Sequence, residues 1–353
     1  MGKSKTILVA PLNWGLGHAT RCIPIINALL KDDYTVIIAS DGAALQLLRK
    51  EFSTLESIEL PSYNIEYPKN GSLLKWKLLL KFPQIKKAIS SEKKIIKNLV
   101  SEGRIQGIIS DNRFGIRDSN IPSVYITHQL KVLSGSSTFL SSKTHQKFIQ
   151  KFDECWVPDV EELPNLSGKL GHLKDTTLNL KYIGVLSRMK KIKLPIKYSY
   201  LLLLSGPEPQ RSLLEELLLE EFKNYKHPIL LVRGVVETKH KISQKRNITV
   251  CNFMESTELE KAINESEIVI ARSGYTTLMD LSILEKKVFF IPTPGQFEQE
   301  YLAKRMSVLD LAPFCKQEDF NLNKLNEIKN YSGLKPFEKT TNFKTLFRLF
   351  ECK

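Results

Sequence analysis

Cysteine is scarce and scattered in this chain. Cys22, Cys155, Cys251, Cys315 and Cys352 are the five in 353 residues, and no C-x-x-C spacing occurs. An odd, dispersed set argues against a disulfide framework or a structural zinc and for a reducing, cytoplasmic setting. Long apolar runs are also missing. Nothing approaches the roughly 20 uninterrupted apolar residues of a membrane span, and the first short run, Ile7–Leu12, reads as a strand and not as a signal peptide. Acid is short relative to base, with 38 Asp and Glu against 52 Lys and Arg, a net charge of +14. That excess favours an anionic partner. No recognition helix and no Arg- and aromatic-rich platform is present, so nucleic acid is not expected.

What the chain does have is alternation. Short apolar runs such as Ile7–Leu12, Thr35–Ser40, Ile105–Ser110 and Pro122–Thr127 predict buried parallel strands. Helical stretches separate several of them: His18–Leu30, Ala43–Lys50, and Ser72–Val100 with an expected break at Pro83. A basic segment with Pro195 and no helical stripe follows Gly184. A second series then opens at Tyr200–Ser205 and continues through Pro228–Arg233, Asn247–Phe253, Glu267–Arg272 and Val288–Thr293. This order predicts an α/β protein with two Rossmann-like domains, parallel sheets carrying helices on both faces. The expected boundaries are a first domain over 1–186, a linker over 187–198, a second domain over 199–330 and a C-terminal helical segment over 331–353, which can pack back on the first.

Candidate site residues gather at strand ends, where open α/β sheets bind ligands. The first loop reads Gly15-x-Gly17-His18-x-x-Arg21. Its glycines allow backbone approach, and the following helix N-terminus favours an anion. Thr20 stands where a third glycine would complete a dinucleotide fingerprint, and no Gly-Lys-Ser/Thr makes a Walker loop. His18 is either a general base or a helix cap. Asp111, closing the strand at Ile105–Ser110, can orient it, and His128 after Thr127 can contact an acceptor. In the second half, Arg272-Ser273-Gly274-Tyr275-Thr276 can hold phosphate oxygens, and Asp280, one turn on, ribose hydroxyls. The bland reading is an N-capped helix with a surface Asp. Gln299 and Glu300 offer an amide and a carboxylate to sugar hydroxyls, or are merely polar first-turn residues. Ser205-Gly206 forms a small-residue turn. No Asp-x-Asp occurs in the chain. This favours a metal-free site that stabilises a diphosphate with backbone dipoles and an arginine, for which Arg211 and Arg272 are nearest by position.

Together these loops resemble glycosyltransferase family 28, the family of the lipid-II-forming N-acetylglucosaminyltransferase. The likeness lies in Gly15-x-Gly17-His18 and in Ile248–Ala303. It implies a GT-B architecture with a ligand cleft between domains and a UDP-sugar held by the second domain. Arg272-Ser273-Gly274 and its helix would then hold the nucleotide, Asp280 the ribose and Phe253-Met254 the uracil. Gln299-Glu300 matches a sugar-reading Gln-Gln pair, so the sugar can differ. Ser205-Gly206-Pro207 departs from the family's Gly-Gly-Ser diphosphate loop. The His18–Asp111 arrangement is similar to that of plant-type UDP-sugar transferases.

The expected activity is an inverting, metal-independent transfer from a UDP-sugar to an acceptor hydroxyl, with His18 as base and no cofactor. The acceptor would be a glycan or lipid-linked molecule of the cell envelope. The rivals are a UDP-sugar hydrolase, whose first loop the Gly-x-Gly-His-x-x-Arg motif also resembles, and a nonhydrolysing epimerase. Over Ser72–Val100, eight lysines face only Glu92. Residues 73–82 mix such lysines with Leu, Trp76 and Phe82, which predicts peripheral contact with an anionic membrane.

Overall fold

The computed structural model describes residues 4–64, 74–237, 239–337 and 341–351, leaving aside the side chains of 74–80 and 82. These residues fall into two compact units, drawn from the spans Met1–Ile65, Leu79–Ser187 and Phe337–Lys353 for the first, and Glu66–Leu78 and Arg188–Pro336 for the second.

The first unit begins with β1 (Thr6–Pro11), α1 (Gly17–Lys31), β2 (Thr35–Ser40), α2 (Gly42–Glu51) and β3 (Glu56–Glu59). It continues with α3 (Leu74–Ser101, from Leu79 on), β4 (Gly107–Asp111), β5 (Ser123–Ile126), α4 (Thr138–Ile149), β6 (Glu154–Val157) and β7 (Leu180–Tyr182). The sheet order is β3-β2-β1-β4-β5-β6-β7 and every pair is parallel. Such a sheet must bury both faces, and the sequence supplies Ile7, Leu8 and Val9 in β1 and Ile108 and Ile109 in β4, all fully buried. On α1, Cys22, Ile25, Ile26 and Leu29 form the packed stripe. The break expected at Pro83 does not occur, since α3 runs through it as one helix. Proline removes one N–H donor, and the turns on either side carry the helix across the gap.

The second unit contains β8 (Tyr198–Leu203), α5 (Gln210–Glu221), β9 (Ile229–Val232), β10 (Ile242–Lys245) and β11 (Ile248–Cys251). Then come α6 (Ser256–Asn264), β12 (Ser266–Ala271), α7 (Tyr275–Ile283), β13 (Lys287–Phe290) and α8 (Phe297–Val308). Its order is β10-β11-β9-β8-β12-β13. Only β10 departs from the parallel pattern, pairing with β11 as a hairpin whose turn holds Arg246 at φ 53°. The core joins Leu202, Leu214, Leu218, Phe222, Leu231, Ile270 and Phe289.

The chain returns to the first unit through α9 (Phe343–Phe347) and a 3-10 turn at Arg348–Phe350. Phe347 and Phe350 lie against the buried Trp156 of β6, with ring centroids 6.4 Å apart in each pair. Lys5 Nζ donates to the Phe350 carbonyl at 2.6 Å. Gly107 makes room for this tail, because a Cβ there would stand 2.5 Å from Phe350 Cδ1.

Candidate active site

In each sheet, the first strand of its unit has neighbours on both sides reached by oppositely directed crossovers. That switch point falls between β1 and β4 in the first unit and between β8 and β12 in the second. In open α/β sheets, ligands bind outside the carboxyl ends of the strands at such a point.

At the first switch point β1 leads into Gly15, whose φ of +74° is a left-handed conformation that glycine adopts without strain. Then α1 begins, with no side-chain cap and no acid in its first turn. The carboxylate nearest this end comes instead from another element, Asp111. One turn of this helix places His18 and Arg21 on one face, and both meet Asp111 at the end of β4. His18 Nδ1 lies 2.8 Å from Asp111 Oδ1. Arg21 Nε donates to Asp111 Oδ2 at 2.5 Å, and its Nη2 donates to Oδ1. Asn112, held at φ 58°, donates to the same carboxylate at 3.3 Å and accepts from Tyr125 OH at 3.1 Å. Burial opposes the Asp111 charge, but Arg21 and then His18 outweigh it and hold the carboxyl well below the usual range.

These partners set the histidine tautomers. Asp111 can only accept, so His18 carries its proton on Nδ1 and presents Nε2 as a lone pair. Arg21 Nη2 also lies 2.9 Å from that Nδ1. Two donors cannot bond one another, and the carboxylate takes both. Arg21 Nη1 lies 3.0 Å from His128 Nδ1, which must then accept, leaving His128 with an Nε2–H. His145 is pushed down to about 4, chiefly by burial, and stays neutral. Arg21 is the site residue whose role the sequence reading missed. Its i, i+3 spacing from His18 was the available signal.

Arg113, two residues beyond Asp111, is structural. It is fully buried, bonded to Glu92 at 2.7 Å, Asp41 at 2.8 Å and the Pro61 carbonyl at 2.7 Å. Glu92 is thus turned inward and does not offset the lysines of α3. Lys86, Lys87, Lys93, Lys94 and Lys97 are all exposed there. The span 73–82 lies almost wholly outside the described side chains. Among the described residues no helix is long and apolar enough to cross a membrane. A recess of about 420 Å³ lined by Ala28, Lys31, Asp32 and Phe343 lies at the far end of α1 from His18.

At the second switch point, Gly206 (φ +100°) follows β8 and Gly274 caps α7 after β12. A Cβ on Gly274 would meet nothing nearer than 3.9 Å, and its φ of −70° suits any residue. Neither packing nor backbone requires glycine there, so the open space in front of it is what the residue preserves. The flanking helices α5 and α7 have no acid in their first turns, whereas α6 carries Glu258 and α8 carries Glu298 and Glu300. At α5, however, Glu208 just ahead of the helix accepts from Ser212 N at 3.2 Å, so α7 is the end at this switch point better suited to an anion. Ser273 Oγ donates to the Gln299 carbonyl at 2.8 Å, tying this loop to α8. Gln299 Oε1 accepts from Thr293 N at 2.8 Å, and Glu300 Oε1 from Gly295 N at 3.2 Å. Thr276 and Asp280 are half-buried on α7, Ser205 is half-buried after β8, and Phe253 is buried beside the half-buried Met254 after β11.

Two arginines expected to meet a diphosphate are engaged within the protein. Arg272 is fully buried, and its Nη groups donate to the carbonyls of Ile291 at 3.0 Å, Pro292 at 3.1 Å and Gln210 at 2.8 Å, and to Gln317 Oε1 at 2.7 Å. Those oxygens stabilise a charge that burial disfavours, and they brace the loops around it. Arg211 is likewise committed, to Glu215 at 2.8 Å and to Glu208. Two carboxylates cancel its charge. Arg233 also pairs with Glu215 at 2.7 Å but is 43% exposed, which leaves it the more available cation at the end of β9.

Comparison with known proteins bears on what these two units are. Solved structures of similar fold include the glycotransferase of kitacinnamycin (TM-score 0.60, 13% identity, 99% of this chain and 94% of that one). MurG of Acinetobacter baumannii is another (TM-score 0.55, 13% identity, 99% and 100%). A putative UDP-N-acetylglucosamine 2-epimerase from Listeria monocytogenes is a third (TM-score 0.57, 11% identity, 98% and 95%). The paired sheets and their switch-point loops define the GT-B glycosyltransferase fold. Residues 203–345 match the glycosyltransferase family 28 C-terminal domain. An uncharacterized glycosyltransferase of Methanosarcina acetivorans is 25% identical over 319 residues, 81% of this chain and 79% of that protein. The chain is therefore a homologue of glycosyltransferases, and its residues 203–345 are similar to the family 28 C-terminal domain.

Proposed function

We propose that this protein transfers a sugar from a UDP-sugar to an acceptor hydroxyl, with inversion and without a metal ion. The observation that carries the chemistry is His18. Its Nδ1 is engaged by a buried carboxylate, so its Nε2 is left as the base at the mouth of an α/β switch point. An acceptor O–H gives its proton to Nε2 as its oxygen bonds to the anomeric carbon. The bond from that carbon to the diphosphate oxygen breaks, and UDP leaves with the electron pair. The family 28 domain supports the donor assignment, with the Gly274 and Gly206 loops approaching the diphosphate and Asp280 the ribose. Gln299, with one amide oxygen bound to the backbone, offers its NH₂ to a sugar hydroxyl. The absence of Asp-x-Asp from the sequence supports metal independence.

The acceptor we propose is a glycan or lipid-linked molecule met on the cytoplasmic side of a membrane. The observation favouring this is the lysine face of α3, five exposed lysines whose helix neighbour Glu92 is buried on Arg113. Each basic residue close to an anionic bilayer contributes about 1 kcal/mol.

Hydrolysis and epimerisation are the competing outcomes of the same fold and first loop. The test is UDP release from a panel of UDP-sugars in EDTA, with and without acceptor extracts. Transferase activity predicts release that depends on acceptor. Equal release without acceptor makes the protein a hydrolase, and sugar interconversion without release makes it an epimerase.

A further inference from the structure

Asp111 is shared. In a simple His–Asp dyad the carboxylate faces only the imidazole and stabilises the imidazolium that forms when the base takes its proton. Here the same carboxylate is held two-pronged by Arg21, through Nε on Oδ2 at 2.5 Å and Nη2 on Oδ1. Both Asp111 and Arg21 are buried, whereas His18 is 15% exposed. The pair that His18 meets is therefore neutral as a whole, and its cationic member lies almost as close as its anionic one, with Arg21 Nη2 2.9 Å and Asp111 Oδ1 2.8 Å from Nδ1.

The remaining groups around the ring do not change this balance. On α1, Cys22 leans its thiol on Asp111 Oδ2 at 3.7 Å and is kept protonated by burial and by Asp111. Beyond β4, Asn112 is neutral and lies 3.5 Å from His18 Nδ1. Beyond β5, His128 accepts from the far side of Arg21 at 3.0 Å, and the Tyr125 hydroxyl is spent on Asn112.

We propose that Arg21 is a positioning residue that governs the base. It fixes the Asp111 carboxylate and sets a cation beside the ring against a second proton on it, which favours Nε2 as an acceptor. This deepens the reading of His18 as the base. Its direct consequence is a property of the resting protein and can be measured without turnover.

The experiment follows the six histidines of the full chain, labelled with ¹³C at Cε1, through a pH titration by NMR, with His18→Gln identifying the His18 signal. In Arg21→Met, whose fold is checked by circular dichroism, the His18 midpoint moves up by about one pH unit or more, since an opposed carboxylate becomes an unopposed one. Arg21→Lys restores much of the parental midpoint because it returns the charge without the fork. Asp111→Asn moves the midpoint down, because the carboxylate charge is removed while the Arg21 cation stays beside the ring. A midpoint in Arg21→Met that stays within about 0.2 units of the parent, or falls, overturns the proposal. If Arg21→Met does not fold, the Asp111→Asn titration decides: a midpoint unchanged or raised there overturns it equally. A purely structural arginine would move stability and leave the titration in place. The transferase reading stands or falls separately, on acceptor-dependent UDP release.

Discussion

Asp111→Asn is the substitution in which stability and chemistry separate most clearly. The carboxylate is fully buried and accepts from His18, from two nitrogens of Arg21 and from Asn112. An asparagine keeps the volume but removes the charge, and its NH₂ faces a donor. Arg21, only 1% exposed, loses the carboxylate that holds it two-pronged. Breaking such a pair costs about 3–5 kcal/mol. A double variant, Asp111→Leu with Arg21→Met, removes both charges and should regain a large part of that loss. Urea unfolding followed through the buried Trp156, which reports on the first unit, measures the cycle. The pH dependence follows the same carboxyl. Its folded value is depressed below its ordinary 3.8. Its stabilisation is therefore fully present above that value and is lost as pH falls through the lower folded one. Asp111→Asn should remove this part of the acid dependence. Turnover should fall by about 10²–10⁴ as the base loses its orientation. A loss under about 1 kcal/mol, or a double variant no better than the single one, would refute the claim that this carboxylate is held by a buried cation.

Further outcomes test the rest of the account. Gly107→Ala pushes a methyl against Phe350 and Ile7 Cδ1, at 2.5 and 2.7 Å. It should lower stability by about 1–3 kcal/mol and make the C-terminal segment sensitive to protease; an unchanged digestion pattern contradicts the docking. Gly274→Ala should fold like the parent, since only Thr277 lies within 4 Å of the new methyl, yet bind UDP at least about tenfold more weakly by calorimetry. Unaltered affinity removes that loop from the donor site. Arg272→Met strips the Ile291, Pro292 and Gln210 carbonyls of their donor, so thermal unfolding should move down. A stable variant that lost only UDP affinity would return Arg272 to the diphosphate. Binding to vesicles with anionic lipid should weaken on Lys86→Glu with Lys93→Glu, and equal binding to neutral vesicles would remove the membrane contact.

The strands were legible because a parallel strand buried on both faces must be an apolar run. Elements without that obligation were not. The strand β10, Ile-Ser-Gln-Lys, is exposed throughout at the sheet edge, and the three-residue β7 is only half-buried. The helix α4 buries only Ser142 and Ile149 and so shows no stripe. At the site, His18 and Asp111 are 93 residues apart but could be matched, because both end the connections of adjacent strands. The arginines could not. A basic residue at a strand end serves a phosphate or braces carbonyls equally well by sequence, and only the positions of Ile291, Pro292 and Gln210 around Arg272 decide between them. Arg21 was hidden for the opposite reason. Its spacing from His18 was visible, but nothing in the chain says that the carboxylate is shared.

The central claim is that His18 Nε2 takes a proton from an acceptor while UDP is held elsewhere. It is tested most directly by comparing the parent and His18→Ala with UDP-sugar and acceptor in EDTA, measuring both UDP affinity and the initial rate of transfer. The account predicts a rate lower by about 10²–10⁴ with UDP affinity nearly unchanged, because His18 lies in the first unit and the donor contacts are assigned to the second. Transfer at the parental rate in His18→Ala would contradict it.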